Sequence, residues 1–217
     1  GMANPVKLKD LYGRVARLLG KAVGRKLTSV ECCLLIDEAA VTIVAGNIRR
    51  SAGMRQFAFN DTSAAGAKDN LWQQDADGNW RIDPERDALR MANHTRVYHT
   101  RPSREVLLEA VTRQFHSGEG AIQFAPEAIA RSNADLLSTP ELRREFIDIY
   151  CDQGKEEAGR WLNLNHGPIA DDELEHRLGR YGLNPCGEIL GADFHCNLAE
   201  VHLNQIDPSD DEGQRDA

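Results

Sequence analysis

The length, composition and charge of the chain set the first limits on its class. It has 217 residues, of which 41% are hydrophobic, and a formal net charge of −8. This size suits one globular domain, or at most two small ones, with a buried core. The acidic balance argues against a general nucleic-acid-binding protein, which would present a basic face. Anionic small ligands remain compatible with it, because local arginine clusters bind phosphates even on acidic proteins.

The cysteines and the apolar runs indicate the compartment. There are five cysteines, an odd number, at Cys32, Cys33, Cys151, Cys186 and Cys196. Their spacing is not that of a secreted disulfide framework. No apolar run approaches the length of a membrane span, and no signal peptide is recognisable. We therefore expect a cytoplasmic protein with no membrane partner.

Apolar periodicity and turn residues predict alternating helices and strands. Helical spacing covers residues 5–24 and 29–44, and Thr28 or Ser29 can cap the second helix. A strand is predicted at 51–61, ending at a turn. The later predicted elements are a polar segment with a tight turn at 62–84, helices at 84–91, 103–115, 126–132, 139–160 and 171–180, and strands at 94–100 and 120–125. This alternation favours an α/β sheet over a helical bundle.

One polar, glycine-containing stretch near the end, "GLNPCGEILGADFHCNLAEVHL", holds two cysteines ten residues apart. In an extended segment alternate residues point to one side, so Asn184, Cys186 and Glu188 could face one ligand. A carboxylate disfavours a neighbouring thiolate, which argues against cysteine-protease chemistry. The pattern fits better a thiol that donates a hydrogen atom beside a glutamate acting as general acid and base. Cys196 could then supply electrons through disulfide formation.

Two plainer interpretations of this stretch stay open. The first is a zinc site formed by Cys186, His195, Cys196 and His202, although its spacing lacks the short paired knuckle of structural zinc sites. The second is a pair of ordinary buried cysteines. We expect no metal at this segment.

The segments "NPCGEI" and "CNLAEVHL" resemble the finger loop of ribonucleotide reductases, and are most similar to the adenosylcobalamin-dependent class. The resemblance implies an α/β fold, part of a ten-stranded α/β barrel with this loop inside. It implies that Cys186 carries a thiyl radical that takes hydrogen from the ribose 3′ position and that Glu188 accepts the 3′-hydroxyl proton. Asn184 would help to hold the substrate, and Cys196 would be one of the redox pair that reduces the 2′ carbon.

Further segments match this family in the same order along the chain. "AGNIRRSAG" is similar to the loop that links the effector site to the substrate base, and "MANHT" to a substrate-binding segment. "SGEGAIQF" and "IARSN" also fit. From the residues alone, a solvated basic pair at a helix end is the favoured explanation of the first segment, and a plain turn is the alternative for the second. The binding residues implied by the resemblance are Gly46, Asn47, Arg49, Arg50 and Asn93.

Departures from the family pattern suggest an internal fragment. The first redox cysteine of the family has no counterpart in residues 2–31, and the second half of the barrel is missing. We predict an N-terminal helix at 1–28, a partial reductase catalytic domain at 29–208 and an acidic disordered tail at 209–217. Open barrel edges would have to be covered, for example in a homo-oligomer.

The predicted function is therefore that of a partial ribonucleotide reductase, inactive as this fragment. The resemblance implies a ribonucleotide substrate, a deoxynucleotide effector, adenosylcobalamin and a thioredoxin-type reductant for the complete enzyme. The alternative is a non-catalytic nucleotide-binding or interaction module on the same fold. A Cys/His metal protein is a third hypothesis.

Overall fold

The computed structural model describes residues 5–42, 53–185 and 187, and these form a mixed α/β fold. The strands are β1 (Gly53–Ala58), β2 (Trp72–Gln74), β3 (Trp80–Ile82), β4 (Ala92–Tyr98) and β5 (Ala121–Phe124). The helices are α1 (Pro5–Lys21), α2 (Ser29–Val41), α3 (Thr62–Ala65), α4 (Arg104–Ser117), α5 (Ala125–Ser132), α6 (Pro140–Gln153), α7 (Lys155–His166) and α8 (Asp171–Leu178), with a 3-10 helix at Asp87–Met91.

Three strands form a parallel sheet in the order β1-β4-β5. Gln56 aligns with Thr95, and Thr95 aligns with Ala121. Parallel neighbours need crossover connections, and helical segments lie between these strands. The predicted α/β class is confirmed, and the sheet is parallel, whereas a ten-stranded barrel stays a prediction.

The sheet has two chemically different faces, because side chains alternate along each strand. The face that we call the loop face carries Gln56, Asn93, Thr95 and Gln123. The opposite face, the helix face, carries Arg55, His94 and Arg96. Helix α2 packs on the helix face, where its buried Asp37 pairs with the buried Arg55.

Two apolar clusters hold the helices in place. The larger lies among α5, α6, α7 and α8 and consists of Ile129, Ala130, Leu137, Phe146, Ile147, Tyr150, Ala158, Leu162 and Leu178. The smaller joins α2 to the 3-10 helix through Leu34, Ala67, Ala88 and Leu89, with Leu18 of α1 packed against it. Burial of each large apolar side chain contributes roughly 1.5–3 kcal/mol, so the larger cluster is the main source of stability here.

Local sequence signals set several helix boundaries. Thr28 caps α2 in a full capping box with Glu31, as the sequence predicts. Ser103 caps α4 through the backbone N–H of Val106. The predicted helix at 139–160 is instead two helices, because Gly154 adopts a φ of 96° and ends α6.

The prediction for the polar segment at 62–84, a tight turn and no helix or strand, was wrong in part, since the segment contains secondary structure. Helix α3 lies in it, capped by the Asp61 side chain. The strands β2 and β3 form an antiparallel hairpin around the predicted tight turn. Each strand has only three residues, too few for an alternating pattern to stand out.

Two predicted apolar helix faces are not covered by the described part of the chain. On α4, Leu108, Val111 and Phe115 are all more than half exposed. On α1, Leu8 and Leu19 are nearly half exposed. Within residues 5–42 and 53–185, no helix has the length and apolarity that crossing a membrane requires.

Candidate functional site

The chain that leads to the cysteine-containing loop crosses the loop face of the sheet. Gln56 of β1 donates from Nε2 to the carbonyl oxygen of Tyr181 (2.8 Å) and accepts at Oε1 from the backbone N–H of Leu183 (3.0 Å). Gln123 of β5 donates to the same Tyr181 oxygen at 2.8 Å. The two glutamine side chains also contact each other. Residues 181–183 are therefore fixed to two strands by hydrogen bonds between glutamine side chains and their main chain.

Asn93 fixes the next residues of the same segment. Its Nδ2 donates to the carbonyl oxygen of Pro185 at 2.7 Å, across a sequence separation of 92 residues. Asn93 lies within β4, so the alternative of a plain turn is wrong. Its side chain is exposed on the loop face and remains accessible to a ligand.

A turn follows immediately. The backbone N–H of Gly187 donates to the carbonyl oxygen of Asn184 at 2.9 Å, and Pro185 occupies the second position, which proline favours in such turns. Gly187 has a φ of 86°, a left-handed value that glycine adopts without strain. That Asn184, Cys186 and Glu188 face one side stays a prediction, because Cys186 and Glu188 lie outside the described residues.

Neutral side chains support the start of the loop. His99 lies 3.2 Å from the hydroxyl of Tyr150 through Nδ1, and its ring meets the edge of Tyr181 at 5.1 Å. Burial lowers the pKa of His99 and raises the pKa of Tyr150 to about 12. Both groups are therefore uncharged near pH 7. On the loop face itself, Thr95 is 1% exposed and its hydroxyl contacts the sulfur of Met54.

The described structure brings together only two of the predicted site residues, Asn93 and Asn184, through the neighbouring Pro185. The others lie outside the described residues and stay predictions; they are Cys186, Glu188, Cys196, Gly46, Asn47, Arg49 and Arg50. The zinc alternative also falls outside, with all four of its ligands. Within the described ranges there is no group of three or more His, Cys, Asp or Glu side chains that could hold a metal ion.

Sequence reasoning missed the two glutamines that hold the loop. Gln123 stands alone among apolar residues in "AIQF", and Gln56 lies between Arg55 and Phe57 in "MRQFAF". A polar residue inside a short apolar strand is a usable signal, because a buried amide needs hydrogen-bond partners. The partner itself could not be predicted, since it lies 125 residues further along for Gln56.

The fold and the site define a class first: a mixed α/β protein whose parallel sheet carries an amide-lined loop on one face. The chain is similar to two proteins named adenosylcobalamin-dependent ribonucleoside-triphosphate reductase. The one from Levilactobacillus brevis is 33% identical over 205 residues, which cover 92% of this chain and 20% of that protein. The one from Lactobacillus helveticus is 25% identical over 201 residues, which cover 92% of this chain and 21% of that protein.

These similarities support a relationship with the ribonucleotide reductase family. The chain spans about a fifth of the length of the curated relatives that it matches. No family model matches the chain. No solved structure matches it either.

Proposed function

We propose that this chain is the part of a ribonucleotide reductase catalytic domain that positions the radical-carrying cysteine loop. The observation that carries the proposal is the hydrogen bond from Asn93 to the Pro185 carbonyl oxygen. It joins two segments that resemble the family separately and places them on one sheet face. The two relatives, similar over most of the chain, support the same assignment.

In the proposed reaction, a thiyl radical at Cys186 takes the 3′ hydrogen atom of the ribose. The S–H bond forms as the C–H bond breaks, and the unpaired electron moves to carbon. Glu188 accepts the proton of the 3′-hydroxyl group, and Asn184 holds the substrate. Cys196 and a second thiol would supply two electrons and two protons and become a disulfide, as the 2′ C–O bond breaks, a C–H bond replaces it and the hydroxyl group leaves as water.

The described residues position the main chain that leads to the cysteine-containing loop. Gln56 and Gln123 hold the main chain before the loop, and Asn93 holds it at Pro185. Three anchors before the reactive residue reduce the conformational freedom that must be lost when the substrate binds. Ribose hydroxyl groups would meet amide donors and acceptors on this face.

Adenosylcobalamin and ribonucleoside triphosphates enter the proposal from the names of the relatives. The described side chains that hold the loop are amides, and the nearby Nδ1 of His99 and sulfur of Met54 already contact the hydroxyl groups of Tyr150 and Thr95. These residues do not fit that cofactor, and we derive no step through it. A deoxynucleotide effector near Arg49 and Arg50, a thioredoxin-type reductant and a homo-oligomer complete the proposal.

A segment exchange tests the proposal. The matching 205 residues of the Levilactobacillus brevis protein would be replaced by those of this chain. Reduction of ribonucleoside triphosphates would then be measured with adenosylcobalamin and a dithiol. We expect turnover that the C186S variant abolishes and the matched C151S variant retains. A folded hybrid protein without turnover would contradict the assignment.

Direct binding separates this proposal from the alternative, a non-catalytic nucleotide-binding or interaction module. Calorimetry with ribonucleoside triphosphates on the 217-residue chain gives the affinity, and the N93A variant reports on the loop face. Binding by the chain together with an inactive, folded hybrid would favour the module. If the chain binds no ribonucleoside triphosphate and the folded hybrid has no turnover, the reductase and the module assignments are both contradicted.

A further inference from the structure

A small cavity lies on the helix face, opposite the loop face. It has a volume of about 50 Å³ and lies between β4, the end of α4 and the chain that follows α3. One water needs roughly 10–15 Å³, so the cavity can hold a tetrahedral oxyanion or a few waters. Its charged and titratable lining residues are Lys68, Asp69, His94, Arg96, Arg113 and Glu119.

Arg96 is a buried cation without an ion-pair partner among the described residues. Arg96 is 6% exposed, and its Nη1 donates a hydrogen bond to the carbonyl oxygen of Gly120 at 3.3 Å. Gly120 has a φ of 97°, and a Cβ atom there would lie 2.7 Å from Nη1 of Arg96. The backbone thus leaves room for the guanidinium group, yet provides no negative charge for it. A buried, unpaired charge is costly unless a ligand of opposite charge compensates it.

His94 adds an unpartnered polar atom to the same cavity. The residue is 4% exposed, and within the described part of the chain its Nε2 has no hydrogen-bond partner. Burial, together with the neighbouring cations Lys68, Arg55 and Arg96, lowers its pKa to about 4. The imidazole is therefore neutral near pH 7, with its Nε2 edge unused.

The other charges in the cavity cancel in two ion pairs. Lys68 pairs with Glu119 at 2.5 Å, and Arg113 pairs with Asp69 at 2.9 Å. Three cations thus face two carboxylates, and Arg96 supplies the excess.

We propose that this cavity binds a small dianionic oxyanion, of the chemical class of free phosphate or the phosphate group of a nucleotide. Arg96 would donate to it from the cavity floor and His94 from the wall, with Arg113 at the more exposed rim. Guanidinium groups match the spacing of oxyanion oxygens and pair with two of them at once. The site lies on the face of β4 opposite Asn93, so it is separate from the proposed reductase chemistry.

Sulfate is the probe of choice, because its own charge is constant above pH 3. NMR titration of the 217-residue chain at fixed ionic strength would follow the His94 ring signals. A bound dianion favours the imidazolium form, which can donate from Nε2, so the pKa of His94 should return towards its ordinary value of about 6.5. Sulfate should then bind about tenfold more tightly at pH 5 than at pH 7.5 by proton linkage. The charged groups around His94 that could also contribute are Arg55, Lys68, Asp69, Arg96, Arg113 and Glu119.

Variants identify the site. R113M removes a rim cation that is 45% exposed, and R104M removes an exposed arginine of the same helix that does not line the cavity. We expect R113M to weaken sulfate binding at least threefold and R104M to leave it unchanged. H94Q should abolish the pH dependence, whereas E119Q should retain it.

Equal affinities of R113M and R104M, or no saturable sulfate binding at pH 5, would overturn the proposal. Two further titrations distinguish the sources of the oxyanion. Tighter binding of a nucleoside monophosphate than of inorganic phosphate would identify a nucleotide phosphate. Equal or weaker binding would identify the free ion.

Discussion

The two hydrogen bonds of Gln56 to the chain before the loop are the most direct test of how the site is held. In the Q56L variant, the backbone N–H of Leu183 loses its acceptor, while the carbonyl oxygen of Tyr181 keeps the bond from Gln123. Each bond contributes about 0.5–1.5 kcal/mol, and an unsatisfied, partly buried donor costs about 1–3 kcal/mol. Because Leu183 is only half-buried, we expect the contact to weaken by about 2 kcal/mol.

The change should be local. Residues 181–183 lie at the margin of the large helical cluster, which does not depend on Gln56. Native-state hydrogen exchange at the Leu183 amide should therefore accelerate about 30-fold, since 1.4 kcal/mol corresponds to a factor of ten. The amides of α6 should exchange as before, and the midpoint of urea unfolding should move little.

Two matched variants make the test specific. Q73L changes an exposed glutamine on the hairpin strand β2 and should leave Leu183 exchange unaltered. Q123L removes one donor to Tyr181 but keeps the Leu183 bond, so its effect should be smaller than that of Q56L. Exchange at Leu183 that is equal in Q56L and Q73L would refute the idea that Gln56 holds the loop.

Three further predictions concern the sheet and its helices. The T28A variant loses the cap of α2 and should lower the free energy of unfolding by about 1 kcal/mol in urea denaturation. G120A forces a Cβ against Arg96 and should cost about 2–3 kcal/mol by the same assay, whereas G118A, with a φ of 70° and open space, should cost only about 1 kcal/mol. Because the folded-state pKa of His94 is about 4 and the unfolded value about 6.5, the unfolded chain binds more protons between these pH values. The free energy of unfolding should therefore fall by about 3 kcal/mol from pH 6.5 to pH 4, and an H94Q variant should lack this fall.

The parts of the fold that follow from neighbouring residues were predictable from the sequence. The capping box of Thr28 and Glu31 is such a case, because both partners lie within one helical turn. The parallel sheet follows from the alternation of strands with helices, which leaves room for crossovers. The break at Gly154 was missed because glycine is tolerated within a helical pattern, and only its φ of 96° marks the boundary.

Contacts between distant residues could not be predicted. The sequence of β1 does not show that Gln56 accepts a hydrogen bond from Leu183, 127 residues further along. The apolar stripe of α4 predicts a buried face, yet Phe115 is 83% exposed. Periodicity reports that a face is apolar, and it does not identify what covers that face.

Strand β4 carries residues of both proposed sites, on opposite faces of the sheet. Asn93 lies on the loop face, while His94 and Arg96 lie on the helix face, because successive side chains of a strand alternate. A shift of register by one residue would exchange these sets, so the pairing of β4 with β1 and β5 fixes both sites at once. The two sites should nevertheless respond separately to substitution. An N93A variant should loosen the chain at Pro185 and keep its sulfate affinity. The R113M variant should weaken sulfate binding and leave the chain at Pro185 unchanged.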